Sequence, residues 1–133
     1  MKKYYHPLEG KKRFMGYNSG DVNLSIQYSS KSDYKGEKPH IHTESEEIYL
    51  TLRGRATIWV NGKIHRLKPG NPIKIEKNEP HAVLSVSKGP FDLYTIKIPD
   101  TTDDKVELDP PEGLVKLMQK HGLIGGLKNQ RVS

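Results

Sequence analysis

Apolar and polar residues alternate with a period of two along much of this chain, the pattern of half-buried strands. Val22, Leu24, Ile26 and Tyr28 alternate with Asn23, Ser25 and Gln27 and predict one strand, followed by a loop from Ser29 to Pro39 rich in Ser, Lys, Gly and Asp. Thr43-Glu44-Ser45 reads as a turn, after which Ile48 to Leu52 resumes the extended pattern. Thr57 to Val60 and Lys63 to His65 flank Asn61-Gly62, a pair that tolerates the positive φ of a type I′ turn, and so predict a hairpin. Pro69-Gly70 marks a further turn, Ile73 and Ile75 a short strand, and Ala82 to Val86 and Phe91 to Ile98 the last two strands. Short strands and turns at this spacing predict an all-β sandwich or barrel.

The period changes near the end. Asp109-Pro110-Pro111-Glu112 offers an N-cap, a proline at the first helical position and an acid three residues after the cap. Leu114, Val115, Leu117 and Met118 then form one apolar stripe, and Gly122 is placed to close the helix. A short C-terminal helix packed on the outside of the barrel is the expectation. The organisation expected is a β-barrel with N-terminal strands over residues 1–98, then an acidic linker, the short helix and a loosely ordered tail over 99–133.

Composition narrows the class. A chain of 133 residues has room for one core. It contains no stretch of the ~20 apolar residues that a membrane helix needs, so no membrane partner is expected. The basic start, Met1 to Pro7, lacks an apolar signal core, which points to a cytoplasmic location. With no cysteine, disulfides, thiolate ligands and thiol catalysis are excluded. The net charge of +6 favours an anionic small-molecule ligand. No helix-turn-helix, zinc finger or basic helix accompanies that charge, so nucleic acid is not an expected partner.

The candidate chemistry lies in the histidines. His40 and His42 are separated by one residue, so on a strand they project to the same side. Two imidazoles on one face, joined by an acid from Glu46-Glu47 and by the distant His81, make a mixed N/O site suited to a divalent transition metal: Mn, Fe, Ni, Co or Zn. Alternation from His42 would select Glu46, but the Thr43-Glu44-Ser45 turn breaks the register, so parity alone leaves Glu46 and Glu47 open. His6 and His65 read as ordinary surface or core residues, and His121 as a helix-terminal one. Tyr49 and Tyr94 read as side chains filling barrel volume.

From Asp21 to Ile98 the chain resembles the cupins. Their first motif, H-x-H, three or four residues, E, six residues, G, is matched by His40, His42, Glu47 and Gly54. Gly70 and His81 fall at the spacing of the second motif, with Asn78-Glu79-Pro80-His81 where P-x-G-x-x-H belongs. The departures are Tyr34 for the opening glycine, Glu76 for proline, Asn78 for glycine and Ser85 for the closing asparagine, and none touches a ligand position. After glycine, Asn best tolerates a left-handed turn, so Asn78 preserves the geometry.

The resemblance implies a cupin jelly-roll with metal ligands His40, His42, Glu47 and His81. It implies a metal-dependent enzyme acting on a small anionic metabolite, a sugar acid, phosphosugar or hydroxy or keto acid, by Lewis-acid isomerisation or epimerisation. An iron-dependent dioxygenase and a non-catalytic ligand- or metal-binding module are the alternatives. The catalytic residues are not legible. Family spacing selects Glu47, which puts Tyr49 and Thr51 on its face and turns Ile48, Leu50 and Leu52 outward. Cupin-like barrels commonly pair through such backs, so a homodimer is expected.

Overall fold

Opposite Ile48 stands Ile96, and opposite Glu47 stands Lys97; this register sets the two faces of the central sheet. The computed structural model describes residues 1–7, 10–16, 22–31, 37–87, 90–101 and 104–120. Among them one sheet has the order β1 (Gly10–Met15), β2 (Ser25–Lys31), β9 (Phe91–Ile98), β4 (Glu46–Arg53), β7 (Ile73–Ile75). The second has the order β10 (Lys105–Glu107), β3 (His40–His42), β8 (His81–Val86), β5 (Ala56–Val60), β6 (Lys63–Leu67). Every pairing is antiparallel. The two sheets form a β-sandwich of the jelly-roll type.

Side chains from both sheets meet in the core. Tyr49, Ile75, Phe91 and Leu93 come from the first sheet, and Ala56, Ile58, Leu67 and Val83 from the second. The alternation along β4 is as the sequence implies: Glu47, Tyr49 and Thr51 are buried, Ile48 and Leu50 half-buried, Leu52 exposed. The Asn61-Gly62 hairpin joins β5 to β6 with positive φ at both residues (46° and 93°). Gly54 is required for space as well as for its φ of 83°, because a Cβ there would lie 2.5 Å from the Pro90 carbonyl oxygen.

Three elements depart from the sequence reading. The strand expected from Val22 begins at Ser25 and runs to Lys31, so its end replaces the start of the expected loop. Its apolar residues Ile26 and Tyr28 pair with Ile96 and Tyr94, whereas Ser25, Gln27 and Ser29 line an internal cavity. The inside is polar here because it borders a cavity, while the His6 ring packs tilted on the outside of Tyr28 (ring centroids 4.5 Å apart). Tyr94 shares that outer cluster and does not fill the interior.

The acidic stretch after residue 99 contributes β10, an edge strand on β3 with Lys105 opposite His42. The helix α1 spans Leu114–Lys120 and starts five residues after the expected cap at Asp109. Pro111 disfavours a helical Pro110, and Gly113 has a φ of 91°, so regular turns begin only beyond both. Leu114 and Met118 pack on Trp59, Ala82 and Leu84, the outer side of the second sheet. Burying each such side chain contributes ~1.5–3 kcal/mol. The closure at Gly122, His121 and the tail from Leu123 lie outside the described residues.

Candidate metal centre

The four expected side chains converge. His40 and His42 leave β3 on one face, His81 opens β8 directly opposite His40, and Glu47 reaches across from β4 in the facing sheet. One potential ligand atom from each of the four lies within 4.8 Å of the others, and all four residues are buried, His81 completely. Glu46 instead faces outward, 3.4 Å from Lys74 Nζ. The bend at residues 43–45 resets the strand parity, so that Glu47 and not Glu46 shares the face of the histidines.

Each histidine has its Nδ1 committed. His40 Nδ1 donates to the Lys38 carbonyl at 3.0 Å and His81 Nδ1 to the Glu79 carbonyl at 2.9 Å, since a carbonyl oxygen can only accept. His42 Nδ1 donates to Asp104 Oδ1 at 3.0 Å. The neutral tautomers therefore turn Nε2 lone pairs inward. Glu47 Oε1 lies 2.9 Å from His42 Nε2 and 3.0 Å from His81 Nε2. An anionic oxygen facing two imidazole lone pairs is repulsive unless a positive charge sits among them, either a proton on Nε2, which then hydrogen-bonds to Glu47, or a metal ion in its place. Adjacent ligands of an octahedral ion with bonds of about 2.1 Å stand about 3 Å apart, so the spacing fits a divalent ion as well as the charges do.

The electrostatics agree. Burial pulls the His40 pKa down to about 4, with the neighbouring His81 acting in the same direction, so His40 is neutral and ready to coordinate. Burial also opposes charge on His42, but the carboxylates of Glu47 and Asp104 outweigh it and raise its pKa. For Glu47 burial pushes upward, yet hydrogen bonds to His42 and His81 hold the carboxyl down at about 2.

The cluster opens onto a cavity of about 180 Å³. Ser25, Gln27, Thr95 and Lys97 form a polar wall from β2 and β9, and Tyr49, Phe91 and Leu93 an apolar one. Tyr49 thus both fills the core and borders the cavity. The exposed Arg13 and Lys105 lie at its rim. The cavity also holds Glu37, a carboxylate outside the four-residue cluster. Its backbone N–H donates to the Val83 carbonyl at 3.0 Å, and its Oε1 accepts the Val83 N–H at 2.9 Å. Burial raises its pKa, the Val83 bond only partly offsetting this. Sequence reasoning missed Glu37 and Asp104. The first sits three residues before His40 in a polar segment, and the second lies in an acidic stretch that looks like solvated surface.

Residues 33–97 match the family model described as a cupin domain. With the double-sheet architecture, this gives the chain the cupin fold. An uncharacterized protein of Methanocaldococcus jannaschii is 28% identical over 69 residues, 52% of this chain and 55% of that protein. The match thus spans little more than half of the curated relative's length. Among solved structures, the DMSP lyase DddQ of Ruegeria pomeroyi is 25% identical with a TM-score of 0.57, covering 65% of this chain and 44% of that one. Streptomyces Pac13, solved with uridine, is 17% identical with a TM-score of 0.61 over 82% of this chain and 93% of that one; it is described as a nucleoside dehydratase. At that identity the likeness to Pac13 is one of fold.

Proposed function

We propose that this cupin is a metal-dependent enzyme that moves a proton on a small oxygen-rich metabolite, by isomerisation or epimerisation. The observation that carries the reading is a second carboxylate, Glu37, lining the cavity that His42 and Glu47 of the candidate ligand cluster also line. His40, His42, Glu47 and His81 would hold a divalent ion, which would supply Lewis-acid polarisation of a bound carbonyl or hydroxyl oxygen. Glu37 is the group that moves the proton. Its raised pKa brings both protonation states closer to neutral pH, where general acid–base catalysis is most effective. Val83 N–H holds Oε1, and Oε2 would be the oxygen that exchanges the proton.

Ser25, Gln27 and Thr95 offer donors and acceptors for hydroxyl groups, and the rim cations Arg13 and Lys105 would draw in an anionic substrate. That enzymes acting on small molecules, Pac13 and DddQ, share the fold is consistent with this reading. Glu37 favours proton transfer over oxygenative cleavage, which would not call for a protein acid or base in that place.

The test is independent of the exact substrate. Metal-loaded protein in D2O is incubated with a panel of sugar phosphates, sugar acids and hydroxy or keto acids, and C–H to C–D exchange is followed by NMR. At least one compound should exchange with wild type, and Glu37→Gln should lower that rate by roughly 10²–10⁴-fold while still binding metal. Metal-dependent binding of panel compounds without any exchange would favour a binding module instead.

A homodimer belongs to the same proposal. Helix α1 covers the outer side of the second sheet, leaving Ile48, Leu50 and Leu52 of the first without that cover. Leu52 is 41% exposed and Ile98, in the neighbouring strand, 39%. A second copy of this sheet would cover that face.

A further inference from the structure

Asp104 sits at the junction of three parts of the molecule. Its Oδ1 accepts from His42 Nδ1 at 3.0 Å and pairs with Lys97 Nζ at 2.5 Å. Its Oδ2 accepts from Ser45 Oγ at 2.7 Å and from the Glu44 N–H at 3.1 Å. Its own carbonyl accepts the Thr43 N–H at 3.0 Å. The residue is buried, and both carboxylate oxygens are used. We propose that Asp104 is a positioning residue for the metal centre, an outer carboxylate that orients His42 for coordination through Nε2 and ties the site to the C-terminal strand β10. The inference rests on the metal site proposed above.

The geometry explains why a residue so far along the chain is suited to this. Strand β10 pairs with β3 in a register that puts Lys105 opposite His42, so the residue just before β10 falls level with the bend at 43–45. From there one carboxylate reaches the far nitrogen of His42 and the first polar groups of the turn that delivers Glu47. The bend sets the parity that selects Glu47, and Asp104 holds the bend. One acid therefore acts on two ligands: on His42 directly, and on Glu47 through the Ser45 and Glu44 bonds. Lys97, buried beside it, neutralises the carboxylate and also donates to the Thr101 carbonyl at 3.3 Å, closing the connection between β9 and β10. A histidine whose second ring nitrogen donates to a carboxylate is fixed in tautomer and orientation and is a more basic ligand. Loss of such a partner typically costs roughly 10- to 100-fold in metal affinity.

The experiment uses Zn²⁺ alone as the probe, by competition with a chromophoric chelator on the full chain. Wild type should bind one Zn²⁺; failure to do so would overturn the metal site itself. Given that binding, Asp104→Asn should raise the Zn²⁺ Kd roughly 10- to 100-fold. Ser45→Ala removes one turn bond but leaves the His42 contact, and should shift Kd less than about threefold even if it lowers the Tm of the chelated protein as much as Asp104→Asn does. An unchanged Kd in Asp104→Asn would overturn the positioning role, and an equal loss in both variants would overturn the direct action on His42. Should Asp104→Asn fail to fold, proton–nitrogen NMR of the wild-type imidazoles with Zn²⁺ decides. Coordination of His42 through Nε2 with the proton on Nδ1 is expected, and coordination through Nδ1 would overturn the proposal.

Discussion

The backbone N–H of Asn78 donates to the carbonyl of His42 at 2.8 Å, joining the turn that delivers His81 to the strand that carries the other two histidines. Asn78 has a φ of 63°, the left-handed region, where the cupin motif has glycine. Asn78→Gly should therefore be nearly neutral. Asn78→Val places a β-branched side chain in that region and should destabilise the fold by ~1–3 kcal/mol, read as a drop in Tm. Equal Tm values for the two variants would show that the turn does not depend on the left-handed residue.

The two adjacent glutamates should separate cleanly. Glu47→Gln removes the only anionic group of the cluster and should abolish stoichiometric metal retention, measured by elemental analysis after dialysis. His42→Ala should do the same. Glu46→Gln alters an exposed partner of Lys74 and should leave metal content unchanged.

Acid should destabilise the chelated protein in two stages. Burial lowers the His40 pKa from 6.5 to about 4, so its contribution is complete above pH 6.5 and is lost as the pH falls toward 4. That shift corresponds to roughly 3 kcal/mol. Glu47, at about 2 against an ordinary 4.5, contributes fully above pH 4.5 and loses its share as the pH falls toward 2. His42 acts with the opposite sign: its contribution is fully present below pH 6.5 and is lost as the pH rises above that through its raised pKa. A Tm that does not fall between pH 6.5 and 4 in the presence of chelator would contradict the burial of neutral His40.

The proposed dimer is tested at Leu50 and Leu52. Light scattering should give the mass of two chains for the metal-loaded wild type at micromolar concentration. Leu52→Asp, on the exposed end of the row, should lower the association by roughly tenfold or more without loss of metal, and Leu50→Asp should dissociate or unfold the protein. A wild-type mass of one chain at high micromolar concentration would rule the dimer out.

Much of this molecule is written locally. Period-two alternation, the Asn61-Gly62 turn and the residue spacing from His40 to Gly54 reveal strands, a hairpin and a ligand set, because each depends on neighbours in the chain. The face of a strand is also local, but which face is inside is not. In β2 the apolar residues point outward and the serines inward, since a polar cavity lies between the sheets and His6 covers the outside. Parity could not choose between Glu46 and Glu47, because the bend between β3 and β4 is held by Asp104 from some sixty residues away. Glu37 and Asp104 acquire their meaning from burial against Val83 and against His42 and Lys97. A carboxylate in a polar segment reads as surface until the folded chain removes it from water and supplies its partners. The sequence alone thus determined the class of fold and the four candidate ligands that the fold brings together. Only the tertiary structure decided which acids stand beside them, because desolvation and long-range hydrogen bonds exist only once the sheets have met.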